Sequence, residues 1–208
     1  MNQKADIPKA NLILNGAIDI SWLELKLEDK ANIYCTDGAY ESVKDSSIEL
    51  DGIMGDMDSI ESQVYPLSKL IALSGQDNTD FEKALLYLSE KGYTSIDVYC
   101  ANGKAPDHSL ENLSIGKKYS SMVKLAFYDP GMHYFFADNS TLLEGVKGKI
   151  ISLMPFVRAA GVTSEGLEYL LKDTDLSLGI RTGARNRAAE DKVRISYRSG
   201  SLIIFVED

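Results

Sequence analysis

The chain has 208 residues, 44% of them hydrophobic, enough to bury the core of one large or two small domains, which argues against disorder. A net charge of −9 with a pI near 4.8 argues against nucleic acid or an anionic membrane as the main partner, because both require a basic surface. No apolar run is long enough to span a bilayer, and the start MNQKADIPKA lacks the apolar stretch of a signal peptide, so a cytoplasmic protein is expected. Cys35 and Cys100 sit in strand-like runs without zinc-type spacing, and are expected to be buried, reduced thiols. All six arginines lie at or after Arg158, whereas the carboxylates of interest lie before it, so the chain divides into two chemically different parts.

Asn11 to Ala17 (NLILNGA) is a short apolar run ending in a Gly turn, and reads as a first strand, with a helical pattern following through Trp22, Leu23 and Leu27. Asn32 to Thr36 (NIYCT) reads as a second strand, ending in Asp37-Gly38-Ala39. An acid followed by Gly at the carboxyl end of a strand is a binding-site candidate in an open α/β sheet, although Asp-Gly is also an ordinary turn pair.

Ile53 and Met54 then lead into Gly55-Asp56-Met57-Asp58-Ser59. Side chains at i and i+2 leave the same side of an extended backbone, so Asp56 and Asp58 can reach one ion. Magnesium takes oxygen ligands and borrows others from water and substrate phosphates, so two carboxylates can suffice. The competing reading is structural, with Asp58 or Ser59 capping a helix and Glu61 completing a capping box. After a run at Lys69 to Leu73, Asp77-Asn78-Thr79-Asp80 precedes a helical pattern through Phe81, Ala84, Leu85 and Leu88, in which Thr79 and Glu82 form a capping box. Ser95 to Cys100 reads as another strand, leading to Gly103, Asp107 and His108 and a helix through Leu110, Leu113 and Ile115, for which Asp107 is a candidate N-cap. Met122 to Tyr128 closes the series.

Strand and helix thus alternate from about residue 11 to 130, which predicts a mostly parallel, three-layer α/β/α domain. Asp37, Asp56 with Asp58, Asp77 with Asp80, and Asp107 all fall at strand ends or helix starts, and this convergence favours a metal–phosphate site. Beyond about residue 132, short alternating runs at His133 to Ala137, Lys149 to Met154, Val193 to Tyr197 and Leu202 to Val206 are separated by Gly-containing turns, as in a small antiparallel β domain. The domains are therefore placed at 1–132 and 133–208.

The order Asp37-Gly38-Ala39, GDMDS at 55–59, DNTDFEKAL at 77–85, DHSLENL at 107–113 and VTSEGLEYLL at 162–171 resembles the thiamine pyrophosphokinase family. The resemblance implies an N-terminal α/β catalytic domain binding ATP and Mg2+, a C-terminal β-sandwich binding thiamine, and a homodimer with sites at the subunit interface. It implies transfer of a pyrophosphoryl group from ATP to the hydroxyl of thiamine, giving thiamine diphosphate and AMP. By position, Asp56, Asp58 and Asp80 would be catalytic residues and metal ligands. Asp37, Asp77, Thr79, Asp107, His108 and Asn112 would contact ATP, and Arg185 and Asn186 would contact thiamine.

Two positions depart from the family pattern. Gly103-Lys104-Ala105 stands where the family often has Gly-Gly-Arg, and Arg185-Asn186 stands where it has Ser-Asn. Lys104, Arg181, Arg185 and Arg187 are the candidates for the missing cation, with a solvated loop as the alternative for the arginines. Asp80 and Asp58 are both candidates for the base that accepts the acceptor's proton. Two other readings remain open at this stage. One is a related pyrophosphokinase with another small alcohol acceptor, such as a pterin; the other is a non-catalytic thiamine- or nucleotide-binding homologue.

Overall fold

The computed structural model describes residues 8–56, 67–75 and 78–208, so Asp58, Ser59, Glu61 and Asp77 lie outside the described residues. Two compact units divide at Pro130/Gly131. The first is built from β1 (Lys9–Ile13), α1 (Ile20–Leu27), β2 (Ile33–Thr36), α2 (Asp37–Val43), β3 (Gly52–Gly55), β4 (Leu70–Ala72), α3 (Asp80–Glu90), β5 (Ser95–Tyr99), α4 (Pro106–Tyr119) and β6 (Lys124–Asp129). Every strand pair within it is parallel, and the strands lie in the order β4-β3-β2-β1-β5-β6.

Alternation along these strands separates two core faces. Ile13, Cys35 and Tyr99 stand level in adjacent strands, and with Ile53 they receive Leu23 and Leu27 of α1 and Ala39, Tyr40 and Val43 of α2. Leu12, Val98 and Phe127 form the next row and point the other way, where Phe81 of α3 meets Phe127 edge-on with ring centroids 6.2 Å apart. Helices on both faces of a parallel sheet make the three layers that strand–helix alternation predicts. Both thiols are buried and free, and burial pushes the Cys100 thiol up to about 12 and Cys35 higher still.

Three local details differ from the sequence reading. Asp37-Gly38-Ala39 does not form a plain turn but opens α2, because Ala39, Tyr40 and Val43 fall on one buried helical face. Asp107 is not the N-cap of α4. Ala105 holds that position and Pro106 takes the first helical turn, where its missing N–H costs nothing. Thr79 does cap α3, accepting from the Glu82 amide at 3.3 Å, but the Glu82 carboxylate is engaged elsewhere, accepting from Lys118 Nζ at 2.6 Å and Tyr119 Oη at 2.5 Å on α4.

The second unit comprises β7 (Met132–Phe136), β8 (Ser140–Glu144), β9 (Ile150–Glu165), β10 (Thr174–Ser177), β11 (Gly183–Arg187), β12 (Lys192–Ser196) and β13 (Ser199–Glu207), all paired antiparallel. The expected run Lys149 to Met154 is only the first part of β9. The strand continues past Pro155, turns at Val157 (φ 70°) and Gly161 (φ 66°), and ends at Glu165. Its first part pairs with β11 and β13 and its last residues with β12, so a single bent strand serves both layers around a core that includes Leu153, Val162, Leu176, Ile195 and Ile204.

Candidate active site

The strand order reverses direction between β1 and β5, and ligand clefts in open α/β sheets form at that point outside the carboxyl ends. A cleft of about 600 Å³ lies there. Asn15 and Gly16 after β1, Gly38 of α2, Thr79 and Asp80 at the start of α3, and Lys104, His108 and Asn112 around the start of α4 contribute to its walls. The loop after β1 is clamped to the loop after β5. Gly16 N donates to Cys100 O at 3.0 Å and Ala17 N to Asn102 O at 2.7 Å. A Cβ on Gly16 would stand 2.1 Å from Cys100 O, so only glycine lets the two strand ends close this side of the cleft.

The acidic residues are gathered by neighbouring strand ends. Asp37 is fully buried at the start of α2, with its carboxylate accepting from the Gly38 amide at 2.7 Å. It packs beneath β3, because a Cβ on Gly55 would lie 2.2 Å from the Asp37 carboxyl carbon. Asp56 follows Gly55 at the end of β3, and Asp80 opens α3. Their carboxylates converge on one point, which holds the ammonium of Lys83. Lys83 Nζ donates to Asp56 Oδ2 at 3.0 Å and to Asp80 Oδ1 at 3.2 Å, and its side chain is only 7% exposed while the two acids are about one-third exposed. Burial disfavours the charge of Lys83, but the hydrogen bonds and charges of Asp56 and Asp80 outweigh it and raise its pKa. The sequence reading missed Lys83. Its signal was available in the i, i+3 spacing from Asp80, but on most helices that spacing marks an exposed pair of small consequence.

Among the described residues no group of three acids, histidines or cysteines stands at metal-holding distance, and Asp58, the third expected ligand, lies outside them. The donor set nevertheless suits a hard cation: two carboxylate oxygens on different elements face one point that already accommodates a positive charge.

The other expected site residues separate into two groups. Thr79, His108 and Asn112 line the cleft, and Asn112 also donates to Ala101 O at 2.8 Å, tying α4 to the end of β5. Asp107 is exposed in the first turn of α4 and does not line it. Of the four candidate cations, Lys104 lies in the cleft wall with Nζ donating to Asn15 Oδ1 at 2.8 Å, whereas Arg181, Arg185 and Arg187 belong to the second unit.

In that second unit Arg185 is exposed, with φ 54° and its amide donating to Ser152 Oγ at 2.9 Å. Asn186 is buried and spends its amide on the backbone. Its Oδ1 accepts from Tyr169 N at 3.1 Å and Arg187 N at 2.8 Å, and its Nδ2 donates to Tyr169 O at 2.7 Å. Asn186 therefore fixes the backbone of Tyr169, a residue that is 73% exposed.

A parallel α/β unit with a cleft at its switch point and two carboxylates converging on one cation, followed by a separate antiparallel β unit, defines the class: a two-unit α/β protein with an all-β second unit. Residues 23–127 match the family model described as "Thiamin pyrophosphokinase, catalytic domain", and residues 139–202 match "Thiamin pyrophosphokinase, vitamin B1 binding domain". The chain belongs to the thiamin pyrophosphokinase family, which is a family of enzymes. A curated relative, thiamine pyrophosphokinase 1 of Oryza sativa subsp. japonica, is 26% identical over 207 residues, covering 83% of this chain and 78% of the relative. The fold is also that of yeast thiamin pyrophosphokinase (TM-score 0.82, 19% identity, 98% of this chain and 87% of that one). It is likewise that of thiamine pyrophosphokinase from Bacillus subtilis (TM-score 0.79, 21% identity, 96% and 98%).

Proposed function

We propose that this chain transfers a pyrophosphoryl group from ATP to the hydroxyl of thiamine, yielding thiamine diphosphate and AMP. The observation that carries the reading is the convergence of Asp56 and Asp80 on one cation point near the β1/β5 cleft, in a chain that matches both parts of one family. The hydroxyl oxygen of the acceptor bonds to the β-phosphorus, the bond from that phosphorus to the α–β bridging oxygen breaks, and AMP leaves.

The unit ending near residue 130 takes ATP and the remainder takes thiamine. Asp56 and Asp80, with Asp58, would hold Mg2+, which when bound neutralises phosphate charge and orients the phosphates. Asp37, buried beneath Gly55, and Asp77 and Asp107 would help hold the nucleotide and metal, directly or through water, while Thr79, His108 and Asn112 bound the nucleotide cleft. Lys104 takes the part of the family's missing arginine, since its ammonium already lies in the cleft wall. Asp80 or Asp58 accepts the proton of the attacking hydroxyl. Thiamine is cationic and aromatic, and the exposed Tyr169, its backbone held by Asn186 and flanked in sequence by Glu168, suits such a ligand, with Arg185 next to Asn186 in the chain. The working form is a cytoplasmic homodimer with sites at the subunit interface. No helix among the described residues is long and apolar enough to cross a membrane.

The test is AMP release from ATP and Mg2+ with and without thiamine, with the products identified by mass. Thiamine-dependent AMP together with thiamine diphosphate is the expected result. AMP or ADP formed regardless of thiamine, or thiamine bound without turnover, would overturn the assignment.

A further inference from the structure

Lys83 reaches from the first turn of α3 to the end of β3, and its ammonium is shared by Asp56 Oδ2 and Asp80 Oδ1. A long side chain held this way gives up rotamer freedom and hydration, so an exposed-surface pair is a poor description of it. Its two partners are the carboxylates assigned above to a divalent cation. A magnesium ion binds oxygen at about 2.0–2.1 Å, whereas the ammonium stands at 3.0 and 3.2 Å from the same two oxygens. An ion at the point where those oxygens converge would lie within the volume of the ammonium, so the two cannot occupy that point together.

We propose that Lys83 is a positioning residue acting as the resident counter-ion of the Asp56–Asp80 pair: it keeps the two carboxylates converged in the substrate-free protein and is displaced when a divalent cation enters. The proposal rests on the metal-site reading given above. It makes cation entry an exchange of one positive charge for two. Lys83 thereby weakens cation binding to the free protein while preventing the acids from repelling each other apart.

The probe is Mn2+ alone, titrated into the full chain without nucleotide and followed by electron paramagnetic resonance. The wild type binds Mn2+ and Asp56→Asn does not. Lys83→Met binds it about tenfold or more tightly than wild type, because a like charge at contact distance has been removed. Lys83→Arg, which keeps the charge, stays within about threefold of wild type. The metal-free Lys83→Met protein melts earlier than wild type, and Mn2+ raises its melting temperature by more.

Unchanged or weaker Mn2+ binding in Lys83→Met, with binding still lost in Asp56→Asn, would overturn the counter-ion role and leave the metal site standing. No Mn2+ binding by wild type or by Lys83→Met would overturn both. If Lys83→Met does not fold, Lys83→Gln replaces it. In the unsubstituted protein, the lysine 13Cε signal that disappears in Lys83→Arg shifts on addition of Mg2+, and a signal that does not move would also refute displacement.

Discussion

Asp56 and Asn186 are both short polar residues in family motifs, yet their surroundings separate their roles. Asp56 points its carboxylate at a shared cation point, so Asp56→Asn removes a charge at nearly constant volume. The expected outcome is a loss of Mg2+-dependent AMP formation of about a hundredfold or more with an unchanged circular dichroism spectrum. Asn186 instead serves two backbone groups of Tyr169. Asn186→Ala strands those groups, and an urea titration is expected to show a loss of about 1–3 kcal/mol. Tyr169→Phe keeps the ring and should leave that stability within about 0.5 kcal/mol. Equal damage by both substitutions would disprove the division of labour.

α3 carries three of the decisive contacts at its N-terminal turn: Thr79 caps it, Asp80 and Lys83 face the site, and Glu82 ties it to α4. Burial opposes the charge on Glu82, but hydrogen bonds from Lys118 and Tyr119 prevail and its pKa is lowered. A carboxyl whose folded pKa lies below its unfolded value contributes stability that is present above the unfolded value and is lost as pH falls through the folded one. Stability should therefore decline below about pH 4.5, the ordinary glutamate value. Glu82→Gln should lower the urea midpoint at pH 7 and flatten this acid limb, and an unaltered limb would refute the tie.

At the cleft, Gly16→Ala drives a Cβ against Cys100 O, 2.1 Å away, the same oxygen to which the Gly16 amide donates. A cost of about 1–3 kcal/mol in the urea midpoint, with weakened ATP binding, is the expected result.

For the whole molecule, two compact units match separate family models, and the proposed dimer has a direct reading. Analytical ultracentrifugation should give a mass of about twice the 22.9 kDa chain, and a monomer at active concentrations would remove the interface sites from the proposal. The negative net charge is consistent with a small cationic acceptor, and with no affinity for heparin or for anionic vesicles.

The order of strands and helices was legible from residue 11 to 130 because apolar periodicity and capping residues are local signals, and Asp37, Asp56 and Asp80 were legible because acids at strand ends have few structural reasons to recur. Local pattern also disclosed the alternating runs after residue 132. It did not disclose α2, whose Asp-Gly start imitates a turn, or the full length of β9, whose alternation breaks at Pro155 and Val157. Nor could it separate Lys104 from the three arginines as the cation of the cleft, or find Lys83 between two acids, one of them 27 residues away. Composition, periodicity and motif order by themselves determined the class of fold, the acidic character of the site and the family it resembles. Only the tertiary structure decided which charges meet, because the register of β2, β3 and β1 and the placement of α3 bring together groups that no spacing along the chain relates.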